Sequence, residues 1–256
     1  FINQDLKSKF ARAVIIYIYK FLLSNKTSAT IFQNKNDLDL FKSKNIKINK
    51  SVIIRGVGVD TNIFTPINTE KIRAGAIRVL FCSRLLIDKG INEFIESARL
   101  LSSDSNFTFT IAGGIDSKNP QSLNADQVKS IRKLKYINYM GDIDHDLLPN
   151  FFKKFDVFVM PSYREGLPKV ALEAASCGLP IIATDVTGCR EVVQNNFNGF
   201  LIEVKSANAI KEALLKFSLN RELLIQYGAC SREYVKTNFD IQRISNEFSK
   251  VLFRLN

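Results

Sequence analysis

The sequence predicts an α/β fold with a parallel, doubly wound sheet, and three observations carry that reading. Between residues 78 and 203, apolar runs of about five residues alternate with segments of helical spacing, the signature of βαβ units. Runs such as 78–83 (RVLFCS) and 180–184 (PIIAT) are nearly continuously apolar, as strands covered on both faces must be. Third, 46% hydrophobic and 24% charged residues in a 256-residue chain suit a globular core and exclude a disordered tail or a multi-span membrane protein.

The elements follow in order. Residues 6–23 (LKSKFARAVIIYIYKFLL) read as a basic, apolar helix, too short and too interrupted by Lys9, Arg12 and Lys20 to span a bilayer. It suits either a core helix or a helix lying on an anionic membrane surface. A short apolar run covers 29–34, a helix 36–45, and a strand-like stretch 51–59 that breaks at Gly56 and Gly58. A loop with Pro66 fills 60–68. Strands are then expected at 78–83, 107–112, 137–140, 157–160, 180–184 and 199–203. Helices are expected at 91–101, 125–135, 146–155, 168–177, 188–193, 207–217, 221–227 and 241–255.

The 36 Lys and Arg against 25 Asp and Glu give a net charge of +11. The excess is local: residues 1–50 carry ten basic and three acidic side chains, residues 51–210 eighteen and seventeen. A near-neutral body argues against a nucleic-acid enzyme, whose positive stripe runs through the fold. Cys82, Cys177, Cys189 and Cys230 form no C-x-x-C pair and His145 is the single histidine, so a zinc site is not expected. Cys82 and Cys177 read as small buried residues in a reducing cytoplasm.

In a doubly wound sheet ligands bind beyond the carboxyl ends of the strands, which selects the loops 83–90, 113–118, 141–144, 162–168 and 184–191. The first carries Arg84 and Lys89-Gly90, cations on either side of a turn, suited to a diphosphate or simply solvated. The fourth carries Glu165-Gly166-Leu167-Pro168 ahead of a helix that contains Glu173. Glu165 is placed to cap that helix. Glu173, among Ala171, Leu172, Ala174 and Ala175, needs a partner because burying a lone carboxylate is costly. A ribose diol or a neighbouring backbone donor would serve. His145, at an expected helix start, reads as a surface or capping residue and not as a catalytic base. Asp142-x-Asp144 reads as surface loop.

The ordered motifs IIRGVGVDTNIF, RVLFCSRLLIDKGI, TFTIAGG, INYMGDI, FVMPSYREGLP, EAASCGLPIIATDVTGCREVV and NGFLIEV, with Glu165 and Glu173 spaced Glu-x7-Glu, resemble glycosyltransferase family 4, the group 1 glycosyltransferases. The resemblance covers roughly residues 29–253. It implies a GT-B fold, two Rossmann-like domains facing across a cleft. Residues 1–70 would be a remnant of the N-terminal acceptor domain and hinge, 71–238 the complete C-terminal Rossmann-like nucleotide-sugar domain, and 239–256 a helix packing back. The family's glycine-rich loop and acceptor pocket would precede Phe1.

The resemblance also implies roles. Arg84 and Lys89 would bind the donor diphosphate, and Glu173 the ribose hydroxyls. Glu165 would sit by the sugar ring, with the Gly166 and Leu167 amides near sugar or phosphate. The backbone of Tyr139, Met140 and Gly141 would edge the base. Catalysis would rest on Glu165, Arg84 and Lys89, with retention of configuration, a UDP-sugar donor, no cofactor and no metal. GCREVV and ATIFQN resemble bacterial enzymes of O-antigen, capsule or other surface polysaccharides acting on undecaprenyl-diphosphate-linked glycans. That implies a cytoplasmic location with peripheral contact at the inner membrane face, and no nucleic-acid partner. Two other readings compete: an inactive nucleotide-binding fragment, and a dinucleotide oxidoreductase. The second fails because Gly56-x-Gly58 has no third glycine.

Overall fold

The computed structural model describes residues 6–23, 29–56, 58–66 and 75–253. The chain divides into two compact units, Phe1–Val57 with Gln242–Asn256, and Gly58–Ile241.

In the smaller unit, α1 (Leu6–Leu23) is followed by β1 (Ala29–Phe32), α2 (Lys35–Ser43) and β2 (Lys50–Ile53), with β1 and β2 paired in parallel. α1 leaves Phe10, Tyr17 and Phe21 exposed, while its Tyr19 packs on Phe41, which meets Phe32. No described helix is long and apolar enough to cross a membrane. Asn34 starts α2 by accepting from the Asp37 N–H at 2.8 Å. The strand expected over 51–59 ends at Ile53, before Gly56 and Gly58 turn into left-handed conformations.

The larger unit runs β3 (Ile77–Cys82), α3 (Ile91–Leu100), β4 (Phe107–Ala112), α4 (Ala125–Arg132), β5 (Asn138–Gly141), α5 (Leu148–Phe152) and β6 (Val157–Met160). It continues with α6 (Lys169–Ser176), β7 (Ile181–Thr184), α7 (Thr187–Val192), β8 (Gly199–Ile202), α8 (Ala207–Leu219) and α9 (Glu222–Phe239); α10 (Ile241–Phe253) closes the described chain. Six strands form one parallel sheet in the order β5-β4-β3-β6-β7-β8, the doubly wound arrangement the sequence predicts. Every residue of β6 and β7 is buried, which explains their unbroken apolar runs. α3 packs on α8 and α6 on α9, so helices cover the sheet.

Two helices differ from expectation. The helix expected over 146–155 is a 3-10 turn, His145–Leu147, followed by the short α5 with Pro149 in its first turn. The helix expected over 221–227 extends to Phe239. Its buried stripe includes Gly228 and Ser231, which hide the apolar period. A Cβ on Gly228 would lie 2.2 Å from the Gly178 carbonyl oxygen, so close packing of α9 on the end of α6 demands glycine there.

Candidate functional site

The chain reverses its direction of travel across the sheet between β3 and β6, and such a switch point opens a crevice at the carboxyl ends of the strands. The loops leaving these two neighbouring strands are tied together. The Tyr163 N–H donates to the Asp88 carbonyl at 2.8 Å. Gly90, at φ +74°, lies so near Pro161 that a Cβ would stand 2.2 Å from its carbonyl oxygen. Between the loops lies a cleft of about 440 Å³ whose lining includes Arg84, Asp88, Lys89, Arg164, Glu165 and Gly166.

The cations in this cleft are matched by carboxylates. Lys89 Nζ donates to Glu165 Oε1 at 2.7 Å, and Arg84 Nη1 to Asp116 Oδ2 at 2.7 Å. The guanidinium of Arg84 is largely exposed and the ammonium of Lys89 is not. Glu165 therefore does not cap α6, which begins at Lys169 after Pro168 with no side-chain cap. A Cβ on Gly188, at the start of α7, would lie 2.5 Å from the carbonyl oxygens of both Glu165 and Gly166. Gly188 thus lets α7 seat the Glu165–Gly166 turn. Asp88 Oδ1 and Ser162 Oγ are enclosed without a hydrogen-bond partner among the described residues. Such atoms concentrate at sites that receive a polar ligand or water.

Glu173 lies in α6 and is buried, outside the lining of that cleft. Its Oε1 receives His145 Nε2 at 2.9 Å and stands 3.4 Å from Lys169 Nζ, one helical turn earlier. His145 lies at the surface, at the start of the turn, as expected; beyond that reading, its ring bonds the buried carboxylate and meets Phe64 edge-on at 5.9 Å. Burial pushes the Cys82 thiol up to about 12, and the nearby carboxylates of Glu173 and Asp142 add to the effect. Bonded to the turn that follows β5, Glu173 lies toward the carboxyl edge of the sheet.

The strap Tyr139–Asp142 sits beside the Gly113–Gly114 turn. Tyr139 Oη donates to the Gly113 carbonyl at 2.9 Å, and the Gly113 N–H to the Gly141 carbonyl at 2.7 Å. Arg132 covers the Tyr139 ring at 4.9 Å, and burial raises the Tyr139 hydroxyl above its ordinary pKa. Met140 is exposed and lines a separate groove with Arg78, Phe151 and Phe155. Leu167 packs against the core while Gly166 is exposed. Asp142 and Asp144 are exposed, and no group of three or more His, Cys, Asp or Glu suited to a metal ion occurs among the described residues.

The structure thus gathers Arg84, Lys89, Glu165 and Gly166 at one cleft, with Glu173 and the Tyr139–Gly141 strap at the same edge of the sheet. Sequence reasoning missed Asp116, Gly188 and the bond of His145 to Glu173. No local pattern marks them, because each acts through a contact made only on folding.

Residues 65–233 match the family described as glycosyl transferases, group 1. The chain belongs to this family. A relative from Campylobacter jejuni, N,N'-diacetylbacillosaminyl-diphospho-undecaprenol alpha-1,3-N-acetylgalactosaminyltransferase, is 33% identical over 225 residues, 84% of this chain and 57% of the relative. The UDP-Gal:alpha-D-GlcNAc-diphosphoundecaprenol alpha-1,3-galactosyltransferase of Escherichia coli is 28% identical over 256 residues, 95% of this chain and 65% of the relative. The chain therefore spans less than two thirds of the length of either. The solved structure of Anabaena HepE in complex with UDP and glucose superposes with a TM-score of 0.77 at 18% identity, over 94% of this chain and 66% of that one. The shared fold is that of the GT-B glycosyltransferases, and the larger unit has the architecture of their C-terminal Rossmann-like domain.

Proposed function

We propose that this chain carries the donor site of a retaining glycosyltransferase. The whole enzyme would move a hexose or N-acetylhexosamine from a UDP-sugar to an undecaprenyl-diphosphate-linked glycan in surface-polysaccharide synthesis. The observation that carries the reading is the convergence of Arg84, Lys89 and Glu165 at the switch-point cleft of a group 1 glycosyltransferase. The activities of the C. jejuni and E. coli relatives supply the acceptor class, and the UDP-Gal of the E. coli enzyme supplies the donor class.

Charge dictates the roles. As the bond from sugar to diphosphate breaks, negative charge grows on the leaving group and positive charge on the sugar. Arg84 and Lys89 meet the first where it grows most, in the transition state. Glu165, already in the cleft, faces the second. With two cations on the leaving group the reaction needs no metal, and the leaving phosphate can take the proton of the acceptor hydroxyl on the same face. Glu173 accepts from the ribose hydroxyls, and the Tyr139–Gly141 backbone edges the base. In this reading the enzyme works on the cytoplasmic side of the membrane.

Calorimetric titration with UDP tests the donor site: the chain binds UDP, and Glu173→Gln weakens binding. Absence of UDP binding, or equal affinity in the variant, would overturn the assignment. In the whole enzyme, Arg84→Ala or Lys89→Ala lowers turnover by on the order of 100-fold. A product assay with a panel of UDP-sugars and a lipid-diphosphate acceptor separates this reading from a nucleotide-binding fragment without turnover.

A further inference from the structure

We propose that His145 is a positioning residue for the donor nucleoside: it fixes the carboxylate of Glu173 so that one oxygen is held by the protein and the other is turned toward the ribose diol. The inference rests on the donor reading above and adds a residue to it.

Glu173 is 3% exposed, and the helix around it offers Ala171, Leu172, Ala174 and Ala175, all buried and none able to donate from a side chain. A carboxylate in such surroundings is stable only if it is hydrogen-bonded. Among the described residues two side chains reach it, and both address Oε1. Lys169 approaches to 3.4 Å from the same helix on an exposed, flexible stem, as a point charge that sets no direction. His145 comes from a different element, the turn after β5, at 2.9 Å. Because an ionised carboxylate can only accept, the Nε2 of His145 carries the proton and the contact is directional.

The imidazole is itself backed. Phe64 is buried and meets the ring edge-on, and the Phe64 carbonyl accepts from Arg232 Nη1 and from Ser176 Oγ, each at 2.7 Å. Glu173 Oε2 receives no hydrogen bond from any described residue. A carboxylate with one oxygen clamped and the other open is oriented to accept from a ligand hydroxyl. The His145 ring is 57% exposed, so the clamp is open to a ligand arriving from solvent.

The test compares UDP with 2′,3′-dideoxy-UDP by calorimetric titration of the chain. The wild type prefers UDP by roughly tenfold or more, the scale of a hydrogen bond to a charged group. His145→Ala loses most of that preference and binds the dideoxy nucleotide as the wild type does. His145→Gln, which retains an N–H donor, recovers part of the preference and keeps the test decisive if the alanine variant folds poorly. A merely structural histidine would leave the ratio intact or weaken both nucleotides equally, and either result overturns the inference. If Glu173→Gln abolishes the preference and both His145 variants retain it, the ribose reading stands and the inference alone falls. If the wild type itself shows no preference, the ribose reading fails and the inference falls with it.

Discussion

Lys89 Nζ and Glu165 Oε1 stand 2.7 Å apart across the mouth of the sheet, their side chains only 20% and 11% exposed. The pair joins the loop after β3 to the loop after β6, so it supports the site as well as belonging to it. Its shelter places it between solvated ion pairs, which contribute little, and fully buried ones, whose breakage is costly. Lys89→Met therefore lowers stability by about 1–3 kcal/mol, because Glu165 is left without its partner. The double variant Lys89→Met, Glu165→Gln regains at least half of the loss, since neither charge is stranded. Urea unfolding of the four proteins of this cycle measures it, and strict additivity would refute the coupling.

Gly188→Ala probes how α7 seats the cleft. The added methyl group would meet the carbonyl oxygens of Glu165 and Gly166 at 2.5 Å, so the turn that carries Glu165 must move. The expected outcome is a loss of UDP affinity of roughly tenfold with a modest fall in melting temperature, as overpacking typically costs about 1–3 kcal/mol. Unchanged affinity would show that the turn is not positioned from below.

Arg232 should matter more to stability than its place on α9 suggests. Its guanidinium donates to the carbonyls of Phe64, Ser176 and Thr61, all of them buried residues. Removing it strands several acceptors at once, and Arg232→Met lowers unfolding free energy by on the order of 3 kcal/mol. Arg232→Lys recovers little, because an ammonium cannot reproduce the planar fork. Denaturant midpoints of both variants decide this, and a lysine variant as stable as wild type would exclude the fork argument.

The thiols should react unequally. Burial pushes Cys82, Cys177 and Cys189 each up to about 12. Raised values keep these groups almost wholly protonated at mildly alkaline pH, and only a thiolate attacks a disulfide reagent. Cys230 is half-buried at the surface of α9. In a mildly alkaline assay with a chromogenic disulfide, one thiol of the native chain reacts promptly and three wait for unfolding. Prompt reaction of two or more would contradict the burial of Cys82, Cys177 and Cys189.

Much of the larger unit was legible in the sequence. The strands at 107–112 and 157–160 coincide with the expected runs: 157–160 is an unbroken apolar stretch buried throughout, and 107–112 alternates Phe with Thr before the buried Ile111 and Ala112. α9 was legible only in its first turns, since Gly228 and Ser231 interrupt the apolar stripe where helices pack closely. Arg84, Lys89, Glu165 and Glu173 could be singled out because each is an ionisable residue at or near a glycine or proline break after a strand. Their partners could not. Asp116 lies 32 residues from Arg84, Glu165 lies 76 from Lys89, and His145 lies 28 from Glu173.

By itself, then, the sequence determined the element order, the parallel sheet and the short set of charged residues at its carboxyl edge, because burial and turn chemistry are local constraints written in spacing. Only the tertiary structure decided which charges meet. A parallel sheet brings β3 beside β6 only after a crossover through two further strands, so the pairing of Lys89 with Glu165 depends on strand order. The contact of His145 with Glu173 depends likewise on where the turn after β5 comes to rest against α6 and Phe64.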